Sequence, residues 1–146
     1  VVLTFTVIAL PAQFGAGYIA DRFPKPLVIF TLIVMQSTGI AVLAWANNAT
    51  MVYLFALLYG IGFGGRLPLF TAIRGEYFGR KAFATIMGIS QFPSSLLMVG
   101  APLFAGYMFD TTGSYAVPFA MFAIFGFLGA ILMLFVKKPN RDSRIV

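Results

Sequence analysis

The sequence predicts an all-α, polytopic membrane helix bundle that crosses the bilayer five times. Three observations carry that prediction: a shortage of charge, five long apolar stretches, and basic residues confined to alternate breaks between them. Of the 146 residues, 60% are hydrophobic and 10% charged, whereas a soluble domain carries about 25% charged residues to solvate its surface. Lipid must cover much of this surface instead. The 17 phenylalanines fit that setting, and the mean hydropathy is strongly positive.

A spanning helix needs about 20 predominantly apolar residues at ~1.5 Å rise each. The first such stretch is 1–20, closed by Asp21-Arg22-Phe23-Pro24-Lys25-Pro26, where charge resists burial and two prolines punctuate. The second, 27–46, ends at the uncharged turn Asn47-Asn48-Ala49-Thr50. The third, 51–73, runs into a basic segment, 74–81, that reads as a loop (Arg-Gly-Glu-Tyr-Phe-Gly-Arg-Lys). The fourth, 83–108, ends before the turn Asp110-Thr111-Thr112-Gly113-Ser114, and the fifth, 116–136, gives way to a polar tail from Lys137.

Charge placement sets an orientation. The breaks at 21–26 and 74–81, with the tail, hold Arg22, Lys25, Arg74, Arg80, Lys81, Lys137, Lys138, Arg141 and Arg144, while the other two breaks hold no basic residue. By the positive-inside rule the basic side is cytoplasmic, which puts the carboxyl terminus inside. The same placement accounts for the net charge of +6 without a nucleic-acid partner. The chain starts within an apolar run, Val1-Val2-Leu3, with no basic leader, so a longer parent protein is expected.

The residues also limit the chemistry. There is no cysteine and no histidine, which removes thiol nucleophiles, the commonest general base and the commonest transition-metal ligands. No aspartate or glutamate lies within a span, so paired carboxylates for acid–base or metal catalysis are missing too. An enzyme is not expected, nor a cofactor or metal. Glycines at 60, 62, 64 and 65 and prolines at 68, 93 and 102 have two readings, tight helix packing or flexible points for gating.

One charge, Arg66, falls well inside a span. Burial there costs about 2.5–3.5 kcal/mol or more, so such a residue usually faces protein or a water-filled cavity. It precedes Arg74 by eight residues, about 12 Å along a helix. Gln13 precedes Asp21 by eight, and Gln91 follows the start of the fourth span near Ala82 by nine. Spans one, three and four therefore carry polar side chains at one level, whereas span five carries none. A guanidinium offers a fixed fork of donors that suits a carboxylate in a low-dielectric site. On this reading Arg66 is the cationic contact for a small organic anion, and Gln91, Gln13, Thr71 and Tyr59 add neutral hydrogen bonds. The alternative is that Arg66 snorkels to the interface or braces helix ends. Gln36, on span two, fits neither reading.

Two local patterns add a resemblance. Gly17-Tyr18-Ile19-Ala20-Asp21-Arg22-Phe23-Pro24-Lys25 resembles the Gly-x-x-x-Asp-Arg-x-Gly-Arg/Lys loop of the major facilitator superfamily, with Pro24 where that family usually has glycine. Gly106-Tyr107-Met108-Phe109-Asp110-Thr111-Thr112-Gly113-Ser114-Tyr115 is similar to the turn joining the last two helices in that superfamily. The resemblance implies a partial major facilitator fold, with the spans as helices 8 to 12 of twelve and an amino-terminal half missing. Helices 8, 10 and 11 line the central cavity in that fold, and helix 12 faces lipid. It further implies that Gly17, Asp21 and Arg22 form a conformational latch, with Asp21 pairing Arg22 or a neighbouring helix end and the latch partner in the absent half; the alternative is a solvated loop charge that only fixes topology. Residues 77–83 and 85–89 look most like the oxalate/formate and monocarboxylate carrier groups. The implied function is secondary transport of a small solute; a drug or sugar carrier with a structural Arg66, and a non-transporting sensor or anchor, are the alternatives.

Overall fold

The computed structural model describes residues 2–136, with side-chain detail for all of these except residues 2 and 79–82. The described elements are all helical: α1 (Val2–Ala20), α2 (Lys25–Ala44), α3 (Ala49–Thr112) and α4 (Ala116–Leu134). They contain five segments long and apolar enough to cross a membrane, Leu3–Ala20, Lys25–Ala44, Ala49–Phe78, Phe83–Thr112 and Ala116–Leu134. The all-α class and the five spans expected from the sequence are those of the structure. The tail with Lys137, Lys138, Arg141 and Arg144 lies outside the described residues, as do the side chains of Arg80 and Lys81.

Helix ends follow local chemistry. Pro24 precedes α2 and a proline sits in its first turn, where a missing N–H is harmless and the fixed φ suits a helix. Asn48 caps α3, its Oδ1 accepting the Met51 N–H at 3.0 Å. At the other end Gly113 takes φ 68°, and its N–H donates to the Phe109 carbonyl at 2.7 Å. That left-handed conformation is what makes glycine the favoured terminator.

The structure corrects the sequence reading at 74–81. The expected loop is helical, and α3 runs unbroken over 64 residues. The segment holds no proline, asparagine, aspartate or serine to compete for the backbone, while its Arg, Glu and Lys are good helix formers. Its charge excludes it from hydrocarbon but not from a helix. Yet α3 is not straight. Arg74 Nη1 donates to Met87 Sδ at 3.2 Å, whereas a straight helix would part those Cα atoms by about 20 Å, beyond the reach of both side chains. The helix therefore bends between them, in a stretch where Gly75 and Gly79 lower the resistance.

The first arm of α3 is the centre of the packing. A Cβ added at Gly64 would run into the Ala9 backbone of α1, and one added at Gly62 would meet the Leu32 carbonyl oxygen and Gln36 backbone of α2. Gly60 and Gly65 similarly face Phe5 and Ala16 of α1. At these positions glycine brings backbones together, as expected where hydrophobic contrast between helices and lipid is absent. Gln36 belongs to the same contact. It is 8% exposed beside Gly62, with its Oε1 lacking a hydrogen-bond partner among the described residues. Ser37, at 2%, is seated against Gly126 of α4. The second arm of α3 is by contrast exposed along most of its length, including Leu96, Leu97 and Met98.

Candidate functional site

Two helical faces converge at the bend. Residues 66, 70 and 74 repeat at four-residue spacing on the first arm of α3, and 87, 91 and 94 share a face of the second. Between them and α1 lies a cavity of about 670 Å³, with a polar lining of Gln13, Arg66, Thr71, Arg74, Gln91 and Ser94. The structure thus brings together Gln13, Arg66, Thr71 and Gln91. Tyr59 does not line this cavity. Its ring meets Phe5 of α1 edge-on at 5.6 Å and stacks on Phe63 at 5.7 Å, about 10 Å further along α3 from Arg66.

Arg66 lies eight residues before Arg74, about 12 Å along the helix. It sits within the apolar helical segment Ala49–Phe78, well away from both of its ends. Its guanidinium carbon lies 5.9 Å from the Phe63 ring centroid and 6.0 Å from that of Phe70. Ring faces attract the cation by roughly 0.5–2 kcal/mol without neutralising it. No ion pair holds Arg66 among the described residues.

Arg74, which sequence reasoning treated only as a boundary, is the second cation of the cavity. Its guanidinium carbon is 5.8 Å from the same Phe70 ring, and its bond to Met87 Sδ uses a weak acceptor. No carboxylate is found among the described lining residues. Gln13 is half-buried and Gln91 exposed to the cavity. The Thr71 and Ser94 hydroxyls donate to the Leu67 and Ser90 carbonyls of their own helix at 3.3 and 3.2 Å, which leaves them as acceptors. The arrangement is a cationic chamber with amide donors at its wall. A separate space of about 390 Å³ beside α1 and α2 is almost wholly apolar, and the hydroxyl of its Thr31 is committed to the Leu27 carbonyl. It offers nothing to orient a polar solute.

The loop after α1 carries the residues of the implied latch, Gly17, Asp21 and Arg22. The Gly17 carbonyl accepts the Asp21 N–H at 3.1 Å. Asp21 is exposed, with no ion pair among the described residues, while the Arg22 guanidinium lies 4.4 Å from the Tyr18 ring centroid. The ion pair here joins Lys25, the first residue of α2, to Glu76 of α3. Glu76 went unnoticed in the sequence, although it is the one acid within the basic segment and was expected on the same membrane side as Lys25. A partly exposed pair of this kind couples by about 0.2–1 kcal/mol. In a double-mutant cycle of Lys25→Ala and Glu76→Ala, thermal unfolding should return a coupling in that range, and the exchange Lys25→Glu with Glu76→Lys should recover it. Additive single effects would reduce the pair to an incidental contact.

These features define a polytopic α-helical membrane protein with a positively charged chamber among its spans. The sequence profile of the Major Facilitator Superfamily matches residues 1–145, and the chain belongs to that superfamily. It is similar to the niacin transporter of Acinetobacter baylyi, with 37% identity over 73 residues, half of this chain and 16% of that protein. A multidrug resistance protein B homolog of Mycobacterium tuberculosis is 28% identical over 98 residues, 67% of this chain and 18% of that protein. Monocarboxylate transporter 12 of Mus musculus is 27% identical over 142 residues, 94% of this chain and 29% of that protein. The matched regions therefore span less than a third of each relative's length. No solved structure shows significant similarity to the chain.

Proposed function

We propose that the chain forms part of a secondary transporter that moves a small organic anion by alternating access, with Arg66 as its principal contact. The observation that carries this reading is the chamber itself. Arg66 and Arg74 face it together, and no acid among the described residues compensates them. A charge at that depth is costly unless it faces water or binds a counter-charge, and a guanidinium fork matches a carboxylate. Gln13 and Gln91 orient the bound anion, and Thr71 accepts from any hydroxyl it carries. Niacin, named in one relative, is itself a carboxylic acid, and a second relative is named for monocarboxylates.

In this reading the five spans are helices 8 to 12 of a twelve-helix carrier, the basic segments and carboxyl terminus are cytoplasmic, and the amino-terminal half closes the chamber. Substrate sites at the interface of two repeats, near the midplane, are what alternating access requires. Gly17, Asp21 and Arg22, with Lys25 and Glu76, belong to the face that latches one conformation. The multidrug relative supports a second reading, a carrier of apolar solutes in which Arg66 is structural. Uptake by the complete transporter in proteoliposomes separates the two. Saturable uptake of labelled oxalate, formate, lactate, pyruvate or niacin, with none of nicotinamide, is the expected result. Uptake confined to neutral or cationic drugs would sink the anion reading.

A further inference from the structure

The glycines and prolines of α3 carry two readings from the sequence, close packing or flexibility, and the hydrogen-bond ladder separates them. In the first arm Pro68 supplies no N–H to the Gly64 carbonyl, but that turn is held from two sides. Gly64 abuts the Ala9 backbone, Gly65 meets Ala16 and Leu32, and Leu69 and Ile73 are buried. The second arm differs. Pro93 supplies no N–H to the Ile89 carbonyl, and hydroxyls draw on two further carbonyls beside it. Ser90 Oγ donates to the Ile86 carbonyl at 2.5 Å, and Ser94 Oγ donates to the Ser90 carbonyl at 3.2 Å. Such side-chain bonds compete with the backbone ladder and bend helices, and proline is a leading cause of sharp kinks. Pro102, by contrast, has no serine or threonine within four residues to add to its own lost bond.

We propose that Ser90–Ser94 is a hinge within the second arm, and that residues 95–112 swing about it to open and close the chamber towards the 113–115 turn. The Arg74–Met87 contact ties the near part of the arm to the first arm, and Pro93 is the first proline beyond it. Gln91 and Ser94 both line the chamber, which puts the hinge in the chamber wall. At the far end residues 113–115 join the arm to α4, and a Cβ at Gly113 would meet nothing within 4 Å. Asp110 lies seventeen residues beyond Pro93, so a swing of ~20° about the hinge moves it by roughly 9 Å. The hinge is independent of which solute is carried.

Double electron–electron resonance on the complete transporter, in a background free of other cysteines, tests it. Spin labels at Asn47→Cys and Asp110→Cys report on the part beyond the hinge, and labels at Phe23→Cys and Thr85→Cys report on the part before it. In the otherwise wild-type protein the first distance should be spread over roughly 9 Å, and the second should form one narrow peak. Pro93→Ala returns an N–H to the Ile89 carbonyl, and should narrow the first distribution to one peak without changing the second. Its thermal stability should hold or rise, because proline disfavours a helix interior, which separates the narrowing from misfolding. Pro102→Ala should keep the wild-type spread. A narrow Asn47–Asp110 distance without the proline change, a spread unaltered by Pro93→Ala, or equal narrowing by Pro102→Ala would overturn the hinge and leave the anion site standing.

Discussion

Arg66→Ala in the complete transporter is expected to abolish anion uptake while the protein still inserts and folds. The loss follows from the partners Arg66 has and those it lacks. Its guanidinium touches the rings of Phe63 and Phe70 and makes no ion pair among the described residues, so alanine breaks no internal pairing. A hydrogen bond to a charged group contributes about 1.5–3 kcal/mol, and a bidentate contact lies at the upper end. Two to three kcal/mol corresponds to a loss of affinity of roughly 30- to 150-fold. Arg66→Lys should recover part of this, since it keeps the charge and loses the fork. Arg66→Met separates binding from bracing: with the costly charge gone, thermal stability should hold or rise as uptake vanishes. Unchanged affinity in Arg66→Ala, or a fall in stability matching the fall in uptake, would make the residue structural.

The largest effect on folding is expected at Gly64. A leucine there must occupy the space of the Ala9 backbone, and a backbone obstacle cannot rotate aside as a side chain can. Overpacking costs about 1–3 kcal/mol even where neighbours give way. Here α1 and α3 would have to separate, and Gly64→Leu should remove most folded protein from a detergent thermal-stability assay. Gly129 of α4 provides the control, because a Cβ there meets nothing within 4 Å. Gly129→Leu should be tolerated. Equal stability of the two variants would show that the α1–α3 contact does not hold the bundle together.

Much of this arrangement was legible in the sequence, and the misses have physical causes. Spans show themselves because hydrocarbon thickness demands a minimum apolar length, and counting at fixed rise placed Gln13, Arg66 and Gln91 on one level before their shared cavity was visible. The same counting took the charge at 74–81 for the end of a helix, whereas it marks only where hydrocarbon ends. Arg74 was consequently taken as an edge when it lines the chamber. Tyr59 lies on nearly the same face of α3 as Arg66, yet Phe5 of the neighbouring helix occupies its surroundings. No local pattern reveals a neighbour's register. The glycines at 62 and 64 posed the same difficulty, since close packing and flexibility draw on one residue type for opposite ends.

The bend in α3 has a mechanical consequence. Its first arm is clamped to α1 and α2 through glycine contacts, whereas its second arm, exposed along most of its length, is clamped by little. The pair resembles a crank with one limb held within the described residues and one limb left for the rest of the carrier to hold, and the Arg74–Met87 contact lies at the bend. Displacement under rotation grows with distance from the axis. A swing of the second limb would sweep Gly100 and Pro102 far more widely than Met87 or Gln91. The charges at the bend would keep their spacing while the far end opened or shut.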